Sequence, residues 1–138
     1  MIEIKQLHHV SIAIKDVEKS KQFYCGVLGM KDVPRPDHYD FGGAWFRSDT
    51  YEVHLIQQND SVQSPGDPPI SPTAKRDLTF ARHFCFRVAD MDEAIKTLEE
   101  KNIPIAAGPR PRGDGASQLY IYDPDGHLIE LAHIPWLD

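Results

Sequence analysis

Two stretches of this chain share one design. The first is Leu7-His8-His9-Val10-Ser11-Ile12-Ala13-Ile14-Lys15-Asp16, and the second is Ala81-Arg82-His83-Phe84-Cys85-Phe86-Arg87-Val88-Ala89-Asp90. A shift of 74 positions, from 9 to 83, lays His83 on His9 and Asp90 on Asp16. Such an echo constrains the fold strongly, because one supersecondary unit must then be built twice. It extends to the far end of each copy, where Val53-His54-Leu55 answers Ile129-Glu130-Leu131 at a separation of 76. A two-residue indel between the anchors accounts for the difference.

The periodicity supplies the elements of the unit. Residues 7–14 alternate and are rich in Val and Ile, as a half-buried strand requires. Asp16 can accept the unpaired amides of a helix over 17–28, whose stripe is Phe23, Tyr24, Val27 and Leu28 and whose left-handed stop is Gly29. Strands are expected at 31–33, 41–47 and 51–57. The second copy gives a strand at 82–88, a helix over 91–101 and a short strand at 104–106. A loop at 108–115 follows, then a hairpin of 118–122 and 128–133 turned by Asp123-Pro124-Asp125-Gly126. The order is β-α-β-β-β twice, in modules of about 1–58 and 80–138 within a single domain, 1–138. Pro65, Pro68, Pro69 and Pro72 crowd the connection at 59–79, which either covers the site or serves as a plain linker.

Bulk properties exclude several classes. A formal charge of −6 argues against nucleic acid, which needs clustered Lys and Arg. No apolar run reaches the roughly 20 residues of a membrane span, and Met1-Ile2-Glu3-Ile4-Lys5 lacks the pattern of a signal peptide. Cys25 and Cys85 form no spaced framework, so a reduced, cytoplasmic protein is expected.

The first and last strands of both modules each carry one ligand-type residue: His9 and His54, then His83 and Glu130. His54 lies between Val53 and Leu55, and Glu130 between Ile129 and Leu131, so each opposes its aliphatic neighbours on the sheet. A carboxylate in so apolar a strand calls for a cation, because desolvating it unpaired costs many kcal/mol. Four such residues at matched positions point to a metal site of His9, His54, His83 and Glu130. Three imidazoles and one carboxylate suit a divalent Zn, Ni, Co, Fe or Mn rather than Ca or Mg. His8 faces away from His9 by alternation, and His38, His127 and His133 fall at loop, turn or terminal positions, so none of these is a ligand candidate.

The motifs Phe23-Tyr24-Cys25-Gly26-Val27-Leu28-Gly29-Met30 and Asp123-Pro124-Asp125-Gly126-His127-Leu128-Ile129-Glu130-Leu131, with the two histidine segments, complete a pattern. It resembles the vicinal oxygen chelate superfamily, which includes glyoxalase I, methylmalonyl-CoA epimerase, fosfomycin-resistance proteins and extradiol dioxygenases. The resemblance covers essentially the whole chain. It implies an α+β fold of tandem βαβββ modules whose curved mixed sheets surround a metal cleft. It also implies a homodimer, with ligands drawn from one chain or two. His9, His83 and Glu130 match the shared ligands, whereas His54 sits where glyoxalase I usually has glutamate and the epimerases glutamine. Bleomycin-sequestering members typically lack the ligands, so an enzyme is expected here.

The implied activity is a metal-dependent glyoxalase I-like lyase or isomerase acting on a small oxygenated substrate, a glutathione adduct among the candidates. The metal would stabilise an enediolate while Glu130 moves the proton as catalytic base. Three alternatives stay open. One is an Fe(II) extradiol-type dioxygenase, with His9, His83 and Glu130 as a facial triad. Another is a fosfomycin-type thiol transferase, for which Arg35, Arg110 and Arg112 are the basic candidates. The third is a non-catalytic small-molecule-binding dimer, with Trp45, Tyr120 and Tyr122 to stack aromatics. Trp45, Gln118 and Arg112 are the substrate-binding candidates, with Phe41 as possible wall.

Overall fold

The computed structural model describes residues 1–59, 78 and 81–137. The chain divides into two compact units, Met1–Pro65 and Gly66–Asp138. Apart from 59 and 78, the proline-rich connection at 59–79 lies outside the described residues.

The first unit runs β1 (His9–Ile14), α1 (Val17–Tyr24), β2 (Lys31–Val33), β3 (Gly43–Arg47) and β4 (Glu52–Gln57). The second repeats it as β5 (Phe84–Arg87), α2 (Met91–Glu100), β6 (Ala107–Pro111), β7 (Ser117–Tyr122) and β8 (Leu128–His133), and ends in a 3-10 turn at Pro135–Leu137. Sheet orders are β1-β4-β3-β2 and β5-β8-β7-β6. In each sheet the module's first and last strands pair in parallel and the remaining pairs are antiparallel. The expected α+β architecture of two βαβββ modules with mixed sheets is therefore what the chain forms.

Both helices begin as the repeat requires. Asp16 accepts a hydrogen bond from Lys19 N at 3.1 Å, and Asp90 accepts one from Glu93 N at 3.0 Å. Each carboxylate satisfies an amide that has no partner within its helix. α1 is shorter than the pattern predicts. It closes at Tyr24, and the chain keeps turning through wider bonds, Leu28 N donating to Phe23 O at 3.1 Å and Met30 N to Tyr24 O at 3.0 Å. Gly29 ends this turn at φ +70°, where other residues are strained.

Alternation sorts the strand residues. In the first unit Ile14, Phe46, Val53 and Leu55 are buried with Phe23 and Tyr24, and Tyr24 stacks on Phe46 at 5.9 Å, which places α1 on that face. In the second unit Leu119, Ile121, Ile129 and Leu131 occupy the equivalent face, and all are buried. The opposite face of β7 and β8 is also buried at Gln118, Tyr120, Glu130 and Ala132. The turn Asp123-Pro124-Asp125-Gly126 forms as expected: Asp123 Oδ1 accepts from Asp125 N and His127 N at 2.9 Å, and Gly126 takes φ +86°.

One element corrects the sequence reading. The short strand expected at 104–106 lies instead at Ala107–Pro111, which overlaps the loop expected at 108–115. Two prolines led to the loop assignment, but β6 is the edge of its sheet and its pairing is irregular between Ala107 and Arg110. An edge strand tolerates residues without an amide proton. Arg110 thus sits on a strand opposite Gln118.

The duplicated caps carry a prediction. Asp16→Ala and Asp90→Ala should each lower the unfolding free energy by about 1 kcal/mol in urea titrations. A change below about 0.3 kcal/mol at both sites would show that tertiary packing alone holds the helix starts.

Candidate metal-binding site

Register builds the polar face of the first unit. Residues of β1, β3 and β4 opposite the core include His9, Trp45, Arg47, Glu52 and His54, and pairing sets Trp45 across from His54 and Arg47 across from Glu52. Trp45 stacks on the His54 ring, at 4.0 Å and 4° between planes; His9 also stacks on His54, at 4.1 Å and 14°. His54 Nε2 lies 2.6 Å from Glu52 Oε2, while Arg47 donates to Glu52 Oε1 from Nε at 2.7 Å. Glu52 is only 6% exposed. The hydrogen bond from His54, with Arg47 behind it, holds this carboxylate below its usual range despite that burial. Desolvation, with His54 and His8 as neighbours, holds His9 below the ordinary imidazole value.

The second unit places its two candidates in contact. His83 precedes β5, and its Nδ1 is 2.8 Å from Ala81 O. A carbonyl only accepts, so Nδ1 carries the proton, and a neutral ring then presents a lone pair at Nε2. That nitrogen is 3.0 Å from Glu130 Oε2. Glu130 is 6% exposed, and its Oε1 is buried without a hydrogen-bond partner among the described residues. Two lone pairs facing each other at this separation repel unless a proton or a cation lies between them. Donors held about 2.0–2.2 Å from one divalent ion stand about 3 Å apart when they are neighbours in its shell. A carbonyl-oriented imidazole beside a buried carboxylate is also how proteins prepare metal ligands. The His83–Glu130 pair therefore fits a divalent cation. Beside it, desolvation and the Glu130 charge push the Cys85 thiol up to about 12.

Of the four residues singled out by the repeat, the structure brings His9 to His54 and His83 to Glu130, one pair in each compact unit. Among the described residues no group of three or more His, Cys, Asp or Glu is gathered as a metal would require. The ring stack also matters. An ion lies near the plane of any imidazole that binds it, so two near-parallel rings do not aim at one point as they stand.

The other candidates fall as follows. Trp45 covers His54, and Gln118 is buried on β7, on the same face as Tyr120 and Glu130. Arg112 is paired with Asp114, from Nε at 3.0 Å and from Nη2 at 2.6 Å. His8 does not turn away from His9: it precedes β1, where strand alternation no longer applies, and its Nδ1 is 2.9 Å from His9 Nδ1. The residue that sequence reasoning missed is Glu52. The available signal was its position two before His54, on the same face of the same strand.

Comparison with known proteins settles the family. A sequence model of the Glyoxalase/Bleomycin resistance protein/Dioxygenase superfamily matches residues 6–131. The chain belongs to that superfamily. It is 30% identical to Glyoxylase I 4 of Arabidopsis thaliana over 96% of this chain and 72% of the relative. It is 29% identical to the mitochondrial methylmalonyl-CoA epimerase of Bos taurus over 91% of this chain and 73% of the relative. Among solved structures, a glyoxalase/dioxygenase from Nostoc punctiforme superposes with a TM-score of 0.73 at 27% identity, covering 95% of this chain and 92% of that one. Among the described residues no helix is long and apolar enough to cross a membrane.

The sandwich around His54 should contribute to stability. Trp45→Ala is expected to cost about 1–3 kcal/mol in denaturant melts, through lost area and lost stacking. Trp45→Phe should recover at least half of that loss; no recovery would mean that stacking on His54 contributes little.

Proposed function

We propose that this chain is a metal-dependent lyase or isomerase of the glyoxalase type, acting on a small oxygenated substrate and working as a homodimer. His9, His54, His83 and Glu130 would hold the ion, a divalent Zn, Ni, Co, Fe or Mn. The observation that carries this reading is the buried Glu130, one oxygen facing the lone-pair nitrogen of His83 and the other without a hydrogen-bond partner among the described residues. When bound, the ion would act as a Lewis acid that offsets negative charge developing on substrate oxygens.

The chain's own groups would do the rest. Ala81 O holds the His83 ring in one orientation and one tautomer. Glu130 Oε2 stays with His83, and Oε1, which has no hydrogen-bond partner among the described residues, is the oxygen suited to take a proton from a substrate carbon and return it. Burial keeps bulk water from competing for that proton.

One observation favours a second reading. With Nε2 engaged by Glu52 and its ring parallel to His9, His54 is the least committed of the four donors. Without it, His9, His83 and Glu130 form the two-histidine, one-carboxylate set of Fe(II) dioxygenases.

Protein purified without added metal should contain close to one divalent ion per chain by elemental analysis. Hemithioacetals should turn over without oxygen uptake. Glu130→Gln should lower kcat by about 10²–10⁴-fold while metal content falls only in part. Loss of all metal in that variant would make Glu130 structural, and oxygen-consuming turnover of catechol would favour the dioxygenase.

A further inference from the structure

Glu52 has no counterpart among the residues matched by the repeat, yet both of its carboxylate oxygens are engaged by side chains of its own face. Its Oε1 accepts from Arg47 Nε at 2.7 Å, and Arg47 Nη2 is 2.6 Å from the same oxygen. Its Oε2 is 2.6 Å from His54 Nε2. The His54 side chain is 12% exposed and lies between the Trp45 and His9 rings, so it has little freedom to turn over. An ionised carboxylate only accepts, and both of its oxygens are accounted for. Of the two neutral tautomers, only the one protonated at Nε2 can donate to Oε2.

From this we infer that Glu52, clamped by Arg47, is a positioning residue that fixes His54 as the Nε2–H tautomer and makes Nδ1 the nitrogen it presents. The inference rests on the proposed function only in treating His54 as a working residue. It holds whether Nδ1 meets a cation or a substrate proton. A carboxylate behind an imidazole fixes ring orientation and raises the basicity of the far nitrogen.

Register makes the arrangement specific. Arg47 opposite Glu52 and Trp45 opposite His54 are successive same-face pairs of β3 and β4. The guanidinium therefore decides which end of the residue at position 52 faces His54. In Glu52→Gln, Arg47 can be served only by the amide oxygen. The amide nitrogen must then face His54 Nε2 and donate to it, which moves the ring proton to Nδ1. Removing the guanidinium as well lets the amide turn over and accept again.

The test is ¹⁵N–¹H correlation spectroscopy of histidine-labelled full-length protein, which separates the two tautomers and the doubly protonated ring. The wild type should show His54 protonated at Nε2 alone, Glu52→Gln at Nδ1 alone, and Arg47→Met/Glu52→Gln at Nε2 again. In parallel, Glu52→Gln should weaken Zn or Ni binding by about 10–100-fold, the usual effect of losing such a partner. A wild-type His54 protonated at Nδ1, or at both nitrogens, overturns the inference. So does a tautomer unchanged in Glu52→Gln, which would make Glu52 a merely structural partner of Arg47. The tautomers are read without metal or turnover, so their outcome is separable from failure of the proposed function, which would appear as metal-free wild-type protein.

Discussion

Everything at the polar faces depends on where β4 and β8 sit. Each is flanked by strands on both sides, and each buries its aliphatic residues, Val53 and Leu55 or Ile129 and Leu131. A strand's side chains alternate, so a register slip of one residue would drive His54 or Glu130 into the aliphatic core. The desolvation cost of that exchange is several times any gain from a polar contact. The same constraint sends His9 and Trp45 to one face with His54, and sends Glu130 to the face where it meets His83.

The two units solve one problem in different ways. In each, a histidine at or before the first strand meets the polar residue in the middle of the last. In the second unit that pair faces nitrogen to oxygen at 3.0 Å; in the first the two rings stack at 4.1 Å. The position two before the shared polar residue explains the difference. It is Leu128 in the second unit, which offers no bond, and Glu52 in the first, which draws His54 Nε2 toward itself. Glu52 can stay ionised at 6% exposure because Arg47 and His54 satisfy both oxygens, whereas Glu130 at the same exposure has one oxygen unsatisfied among the described residues. Buried carboxylates left in that condition are costly and tend to mark functional sites.

Much of this was legible before any coordinates. The order of elements, both aspartate caps and the four matched polar residues follow from local periodicity and spacing, and the motifs Phe23–Met30 and Asp123–Leu131 carried the resemblance to the family. The strand β6 was hidden by Pro109 and Pro111, since a proline's meaning depends on whether its strand is an edge, and strand order is a tertiary fact. Glu52 was hidden for a related reason. Its pairing with Arg47 depends on β3–β4 register, and a search guided by the repeat passes over a residue that only one copy carries. The contact of His8 with His9 lies beyond the reach of alternation, because His8 precedes the strand that enforces it.

The asymmetry between the units bears on the chemistry proposed for them. Where the second unit places a carboxylate at the shared strand position, the first places an imidazole and sets a carboxylate behind it, on the same face of the same strand. A negative charge in direct contact with a divalent ion quenches its Lewis acidity more than the same charge one ring further out. An imidazole backed by a carboxylate keeps the overall charge of the donor set while leaving the ion more electrophilic. It also ties that donor's geometry to Arg47, a residue outside the proposed ligand set. Selection on metal affinity in this chain would therefore act on β3 as well as on the strands that carry the donors.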